Sequence, residues 1–296
     1  MSEQKTIHLT DYQPFSHIVD SVGLTFRLSP GATRVQARLA LRPNPERPGR
    51  NDLRLDGEGL THISCTVDGQ TVAPRIDDRS LTIAAADLPD GPFTLETEVE
   101  IVPDANTALE GLYMSRGMYC TQCEAEGFRK ITWYPDRPDV MSRFKVRIES
   151  DLPVLLSNGN PTGSGKGWAE WDDPWPKPAY LFALVAGDLR AYSADFTTAS
   201  GRTVALNIWV RPGDEDRCAY AMDSLIRSMR WDEEVYGREY DLDVFNIVAV
   251  DDFNMGAMEN KGLNIFNSRY VLASPETATD EDFARIEAII AHEYFH

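Results

Sequence analysis

Alternation of apolar and polar residues covers much of the first two thirds of this 296-residue chain and restricts its fold more than any other feature. Residues 35–42, 93–101 and 144–149 show it most clearly. A period of two gives a strand one apolar and one polar face, as in an antiparallel sheet covered on one side. Turn-forming pairs such as Asp68-Gly69 separate the runs, and no long helical pattern precedes residue 190. We therefore expect an antiparallel β saddle or sandwich.

The pattern changes near residues 188–195, where we place a domain boundary. The expected elements after it are a strand at 204–210, a helix at 214–236 that stops at Gly237, strands at 243–250 and 263–266, and a helix from Thr279 to the end. Strands and helices alternate there, unlike in the first part. We therefore expect an α+β multidomain chain, with an N-terminal β domain over residues 1–190 and the start of an α/β domain over residues 191–296.

Composition excludes several classes of protein. With 42% hydrophobic residues the chain is not disordered, and its longest apolar run, residues 180–186, is far shorter than the roughly 18 residues of a membrane-spanning helix. A net charge of −18 argues against nucleic acid or an anionic membrane as the main partner. Four cysteines and the absence of a secretory signal pattern favour a reducing compartment, so we expect a cytoplasmic protein.

Two short motifs resemble functional sites but fail on spacing. The stretch 157–167 resembles a phosphate-binding loop, yet Asn160 stands where the first glycine is needed and Gly167 follows Lys166 in place of Ser or Thr. We read it as a hairpin loop. Cys120 and Cys123 form a C-x-x-C pair without a second pair to complete a zinc knuckle, so we assign them a structural role.

The last predicted helix carries the pattern His-Glu-x-x-His, formed by His292, Glu293 and His296. Residues four apart lie on one helical face, so both imidazoles can point at one ion, and neutral imidazole is a good zinc ligand. Glu293 lies roughly 100° around the helix from His292, where it can reach water at the metal and move its proton. The alternative is a helix end whose histidines cap carbonyl groups.

A lone carboxylate, Glu259, stands among apolar residues between the two predicted strands. The preceding Gly256-Ala257 pair allows the backbone to approach a ligand closely. A carboxylate placed there is costly to bury unless a cation pairs with it. The alternative is a strand-edge loop with a solvated glutamate.

Together, the sequence Gly256-Ala-Met-Glu-Asn260 and the following His292-Glu-x-x-His296 resemble the zinc aminopeptidases of the gluzincin family. The similarity extends over residues 106–139, 177–188 and 247–296, so it covers both parts of the chain. It implies an N-terminal β saddle followed by the first part of a thermolysin-like catalytic domain. The implied activity removes N-terminal amino acids from peptides that have a free N-terminus.

The resemblance also implies a role for each site residue. His292 and His296 would ligate one Zn²⁺ ion, and Glu293 would be the general base. Glu259 and Glu124 would bind the free α-amine of the substrate, and a blocked N-terminus would leave these carboxylates unpaired. The other substrate-binding residues that it implies are Gln122, Met255, Gly256, Ala257, Met258 and Asn260. Met255 would border the first side-chain pocket, and the backbone at 256–257 would pair with the peptide. In an extended segment 120–124, Gln122 and Glu124 would share one face.

The family's third zinc ligand, its oxyanion-stabilising tyrosine and its cleft-closing helical domains would all lie after His296. We therefore expect an N-terminal portion of a larger enzyme, with the remaining C-terminal domains as partners. Alone, this portion would bind zinc weakly through two histidines and be nearly inactive. Two alternatives stay open: a zinc epoxide hydrolase or endopeptidase on the same scaffold, and a non-catalytic module or fragment that retains the motif.

Overall fold

The computed structural model describes residues 8–296, so residues 1–7 of the expected first part lie outside the described range. The strands of the first part are β1 (His17–Arg27), β2 (Thr33–Pro43), β3 (Leu53–Asp56), β4 (Thr61–Val67), β5 (Gln70–Thr71), β6 (Arg75–Ile76), β7 (Ser80–Ile83), β8 (Phe93–Ile101), β9 (Gly111–Ser115), β10 (Met118–Gln122), β11 (Ser142–Glu149), β12 (Val154–Ser157), β13 (Asn160–Gly165), β14 (Trp168–Lys177) and β15 (Leu184–Gly187). The second part contains β16 (Arg190–Thr197), β17 (Thr203–Val210), α1 (Ala219–Tyr236), β18 (Val244–Val250), β19 (Ala257–Met258), β20 (Leu263–Asn267) and α2 (Asp280–Phe295).

The first fifteen strands form three sheets. The largest has eight strands in the order β13-β14-β11-β1-β2-β8-β4-β5, and its neighbours are antiparallel except for the parallel pair β1 and β11. A four-stranded sheet follows the order β12-β15-β10-β9, and a three-stranded sheet follows the order β3-β7-β6. The expected fold class, a β domain followed by part of an α/β domain, is therefore confirmed.

The sequence alternation decides which face of the large sheet is covered. In β2 the apolar side chains at 35, 37, 39 and 41 are buried, and the polar side chains between them face outward. Cross-strand ion pairs follow this outer face, for example between Arg38 Nη1 and Glu96 Oε1, which are 2.6 Å apart. The polar face thus stays solvated while the apolar face joins the core.

The segment 157–167 corrects one expectation, because most of it is a strand and not a loop. β13 lies at the edge of the large sheet and pairs with β14, with Gly165 opposite Trp168. A Cβ on Gly165 would lie 2.5 Å from Trp168 Nε1, so the glycine makes room for the indole. The ring covers a stretch whose small residues would otherwise pack poorly as a strand.

The second part contains a mixed five-stranded sheet in the order β16-β17-β18-β20-β19, with β17, β18 and β20 parallel. This sheet is the middle of three layers. Val248, Val250 and Ile265 belong to the same buried core as the β domain. Ile247 and Phe266 belong to a second core on the opposite face. The helix residues that cover this second face are Met222, Leu225, Met229, Ile286 and Ile290.

Both helices end and begin close to where the sequence predicts. α1 stops before Gly237, whose φ of +64° suits glycine, and it starts at Ala219 because a 3-10 turn occupies residues 215–217. α2 starts after Thr279 with a capping box, in which Thr279 Oγ1 accepts from Asp282 N at 3.3 Å and Asp282 Oδ2 accepts from Thr279 N at 2.9 Å. Neither helix has the length and hydropathy needed to cross a membrane.

Candidate active site

The C-terminal turn of α2 holds His292, Glu293 and His296 together. The Nε2 atoms of the two histidines are 3.1 Å apart. Tetrahedral zinc with ligand bonds of 2.0–2.1 Å separates two nitrogens by about 3.3 Å, so this pair fits the ion. Among residues 8–296, no third His, Cys, Asp or Glu joins them in a metal-binding group. The described part of the chain therefore offers this histidine pair and no larger metal-binding group.

Glu293 differs from its two histidine neighbours because it is buried, with 9% of its surface exposed, whereas both histidines are more exposed. Burial, and after it the negative charges of Glu259 and Glu124, together raise the pKa of Glu293 to about 7. Glu259 lines the same cleft as Glu293, and Glu124 lies close enough for its charge to act on Glu293. A cation bound among them would favour the ionised form of all three.

Glu124 comes from the β domain, and its position corrects the expected geometry. β10 ends at Gln122, and the chain then turns, with Gly127 N donating to Cys123 O at 2.8 Å. Glu124 is exposed in this turn, and Gln122 is buried in the strand, so the two do not share one face of an extended segment. The Nε2 atom of Gln122 lies 3.9 Å from Met258 Sδ, and its Oε1 has no partner among the described residues.

The motif at 256–260 forms an edge of the five-stranded sheet. Ala257 and Met258 make up β19, which pairs with β20, and Asn267 N donates to Gly256 O at 2.9 Å. β19 is the last strand of its sheet, which leaves an edge on which an extended peptide could pair. A Cβ at position 256 would lie 3.4 Å from the Tyr270 ring, which is an ordinary van der Waals contact, so the ring packs beside this part of the backbone.

The other motif residues differ in exposure. Met255 is 47% exposed at the start of the motif, while Met258 and Asn260 are buried. Glu259 is half-buried and lines a cleft of about 1080 Å³ together with Glu293 and His296. The structure therefore brings together the two histidines, Glu293 and Glu259, and places Glu124 near enough to act on the pKa of Glu293.

Tyr180 also lines this cleft, and the sequence did not single it out. Burial raises the pKa of its hydroxyl, and the charges of Glu259 and Glu124 raise it further. Tyr180 therefore lies beside both carboxylates. It belongs to segment 177–188, which resembles the gluzincin family but has no spacing pattern that indicates a site.

Comparison with known proteins identifies the class that this fold and site define. The sequence profile described as Peptidase M1 N-terminal domain matches residues 52–181. The profile described as Peptidase family M1 domain matches residues 220–296, which include the His-Glu-x-x-His pattern. The chain therefore belongs to peptidase family M1.

Within this family the chain is similar to bacterial aminopeptidase N. It is 57% identical to the aminopeptidase N of Caulobacter vibrioides over 99% of this chain and 34% of that protein. It is 52% identical to the Escherichia coli protein over 97% of this chain and 33% of that protein. Among solved structures, Legionella pneumophila aminopeptidase A in complex with aspartic acid superimposes with a TM-score of 0.90 at 36% identity, over 97% of this chain and 35% of that one. The chain spans about a third of the length of these relatives.

Proposed function

We propose that the full-length protein is a zinc aminopeptidase that removes N-terminal amino acids from peptides. One observation carries the proposal: two imidazoles 3.1 Å apart stand beside a buried Glu293, which shares a cleft with Glu259 and lies within reach of the charge of Glu124 from the β domain. The aminopeptidase N relatives support the same conclusion.

His292 and His296 would hold the zinc ion, and a further ligand would come from sequence outside these 296 residues. Bound zinc would polarise the carbonyl of the first peptide bond and lower the pKa of a water molecule. Alone, we expect the 296 residues to bind zinc weakly and to show little activity, because the described residues offer no third ligand to this pair.

Glu293 would act as the general base and then as the general acid. Its carboxylate accepts a proton from the attacking water as the oxygen bonds to the carbonyl carbon. It then donates this proton to the leaving nitrogen as the carbon–nitrogen bond breaks. Its buried position excludes competing solvent from this transfer, which favours delivery to the leaving group.

Glu259 and Glu124 would bind the free α-ammonium of the substrate. Gln122, whose side chain contacts Met258, would line the wall of the same pocket, and Met255 would border the first side-chain pocket. The backbone at 256–257 would pair with the peptide, and Met258 and Asn260 would hold the motif in place. A substrate without the ammonium would leave two carboxylates facing each other without a cation.

The test compares alanyl anilide with N-acetyl-alanyl anilide on the zinc-loaded full-length protein. We expect kcat/KM to be about 10⁴-fold higher for the free amine, as for other sites built around a buried polar group of the substrate. A chelator should abolish both rates, and added zinc should restore them. Equal hydrolysis of the two substrates would contradict the proposal and indicate an endopeptidase on this scaffold.

We also propose a cytoplasmic location. All four cysteines are buried and free, with no disulfide among them. Burial raises the pKa of Cys120 to about 12, so this thiol stays protonated and unreactive. Thiols in this state suit a reducing compartment and the structural role assigned to the C-x-x-C pair. Quantifying the protein in cytoplasmic and periplasmic fractions tests the location.

A further inference from the structure

The two carboxylates assigned to the substrate amine stand on different domains. Glu124 follows β10 of the four-stranded sheet, and Glu259 lies on residues 251–262, which connect β18 to β20 and which we name the amine-binding loop. Their separation therefore depends on how this loop lies against the four-stranded sheet. Three sets of contacts determine the position of the loop against this sheet.

The first contact fixes the start of the loop. Ser115 Oγ donates to Asp252 Oδ2 at 2.7 Å, and Tyr113 Oη donates to the backbone oxygen of Asp252 at 2.8 Å. Both donors lie on β9 and have no exposed surface. Arg211, directly after β17, donates through Nε to Asp251 Oδ2 at 3.1 Å and through Nη2 to Ser115 O at 3.2 Å, so it bridges the loop and β9.

The second contact fixes the end of the loop. Asn158, a buried residue directly after β12, donates through Nδ2 to Lys261 O at 3.1 Å. Its Oδ1 accepts from Ala183 N at 2.7 Å, so the side chain cannot rotate freely. A Cβ on Gly262 would lie 2.9 Å from Gly159 N, which shows how closely the two backbones approach.

The third contact lies between these two attachments. The Gln122 side chain at the end of β10 meets Met258, directly before Glu259. β9, β10 and β12 all belong to the four-stranded sheet, which also leads into Glu124. One sheet of the β domain therefore carries one carboxylate and holds the loop that carries the other.

We propose that Ser115, Tyr113 and Asn158 are positioning residues that hold Glu259 opposite Glu124 and so set the affinity for a free α-amine. This inference rests on the proposed function. Neither end of the loop pairs with a strand of the β domain, so side-chain hydrogen bonds fix the position of the loop relative to the four-stranded sheet. Loss of the bonds at Asp252 would let the loop shift relative to β10 and would weaken amine binding, while the zinc ligands on α2 would stay in place.

The first experiment measures KM and kcat on alanyl anilide with zinc-loaded full-length protein that carries Ser115→Ala and Tyr113→Phe together. These changes remove two hydroxyls and keep the buried packing. We expect KM to rise about 10-fold, since a charge-assisted contact contributes about that factor in affinity. We expect kcat within about twofold of the wild-type value and unchanged zinc content, because α2 is not touched. Loss of folded protein alone would lower kcat and leave KM unchanged.

Ser142→Ala is the matched control. Ser142 is buried on β11 of the large sheet, and its Oγ donates to Val19 O at 2.7 Å, away from the loop. This variant should leave KM unchanged. A second pair of variants tests the proposal if the double variant folds poorly. Asp252→Ala should raise KM. Asp252→Asn keeps an oxygen acceptor for Ser115 and should restore the wild-type KM. An equal rise in KM for Ser142→Ala would overturn the proposal.

Hydrogen exchange of the amides in residues 253–262 tests the attachment without any substrate. We expect faster exchange in the Ser115→Ala, Tyr113→Phe protein than in the wild type, and wild-type exchange in Ser142→Ala. Unchanged exchange, or faster exchange with an unchanged KM, would contradict the positioning role. Failure of the proposed function gives a different result, because wild-type protein would then hydrolyse blocked and free substrates alike.

Discussion

Glu293 shows how one helical position buries a carboxylate in a cleft. It faces the cleft beside the two histidines, and its neighbours there are two further carboxylates. The sequence predicts its place on the helix, because i and i+4 spacing is a local property. It does not predict that the charge of Glu124 reaches Glu293, because that proximity depends on the packing of two domains. The turn that ends β10 at Gln122 was missed for the same reason.

Replacing Glu293 by glutamine should lower kcat of the zinc-loaded full-length protein about 10²–10⁴-fold, because the amide cannot accept the proton from water. Zinc content, measured by atomic absorption, should stay at the wild-type value because both histidines remain. Glu281→Gln, an exposed change on the same helix, is the control and should leave kcat unchanged. Wild-type kcat in Glu293→Gln would exclude Glu293 as the base.

A second residue-scale prediction concerns a buried ion pair in the β domain. Lys177 Nζ lies 2.8 Å from Asp173 Oδ2 and 4.2 Å from the Phe144 ring centroid, and both charged side chains are almost fully buried. Lys177→Met should lower the free energy of unfolding by about 3–5 kcal/mol, because Asp173 is left buried without a cation. Urea denaturation measures this change. Adding Asp173→Asn to Lys177→Met should recover part of the loss, and an additive loss would contradict the explanation.

At the scale of elements, the sequence predicted the ends of helices best, because particular residues mark those ends. Gly237 and Thr279 mark helix ends in the sequence and do so in the structure. The orientation of β18 is harder to predict. All seven of its residues are buried, so the sequence pattern does not distinguish its two faces. β13 escaped the prediction because its strand character depends on the indole of Trp168.

The capping box of α2 gives a prediction at this scale. Thr279→Ala removes the acceptor for Asp282 N and should lower the free energy of unfolding by about 1 kcal/mol. Thr279→Ser keeps the hydroxyl and should retain most of the stability. Thermal unfolding of all three proteins measures the difference. If serine and alanine destabilise equally, the hydroxyl does not cap the helix.

At the scale of the whole molecule, the predicted boundary near 188–195 separates sheets but not cores. β15 ends at Gly187 in one sheet and β16 begins at Arg190 in another. The core of the β domain nevertheless continues into Val248, Val250 and Ile265 of the second sheet. The sequence could not predict this sharing, nor the parallel pairing of β1 with β11, because neither leaves a trace in local periodicity.

We therefore expect residues 191–296, produced alone, to lack a stable fold. The face of β18 and β20 that belongs to the shared core would be exposed to water, and α1 and α2 cover only the opposite face. Near-UV circular dichroism and dye binding should show fluctuating tertiary packing and exposed apolar surface, with the intact 296-residue chain as the control. A cooperative unfolding transition of the isolated segment would contradict this expectation.

The shared core also has a consequence for synthesis on the ribosome. The β domain is complete once β15 has emerged, but the strands that cover its remaining apolar face, β18 and β20, are translated later. At about 5–20 residues per second, translation from residue 187 to residue 265 takes roughly 4–16 seconds. During that time a nascent chain of this protein carries an uncovered apolar surface, which is the kind of surface that chaperones recognise.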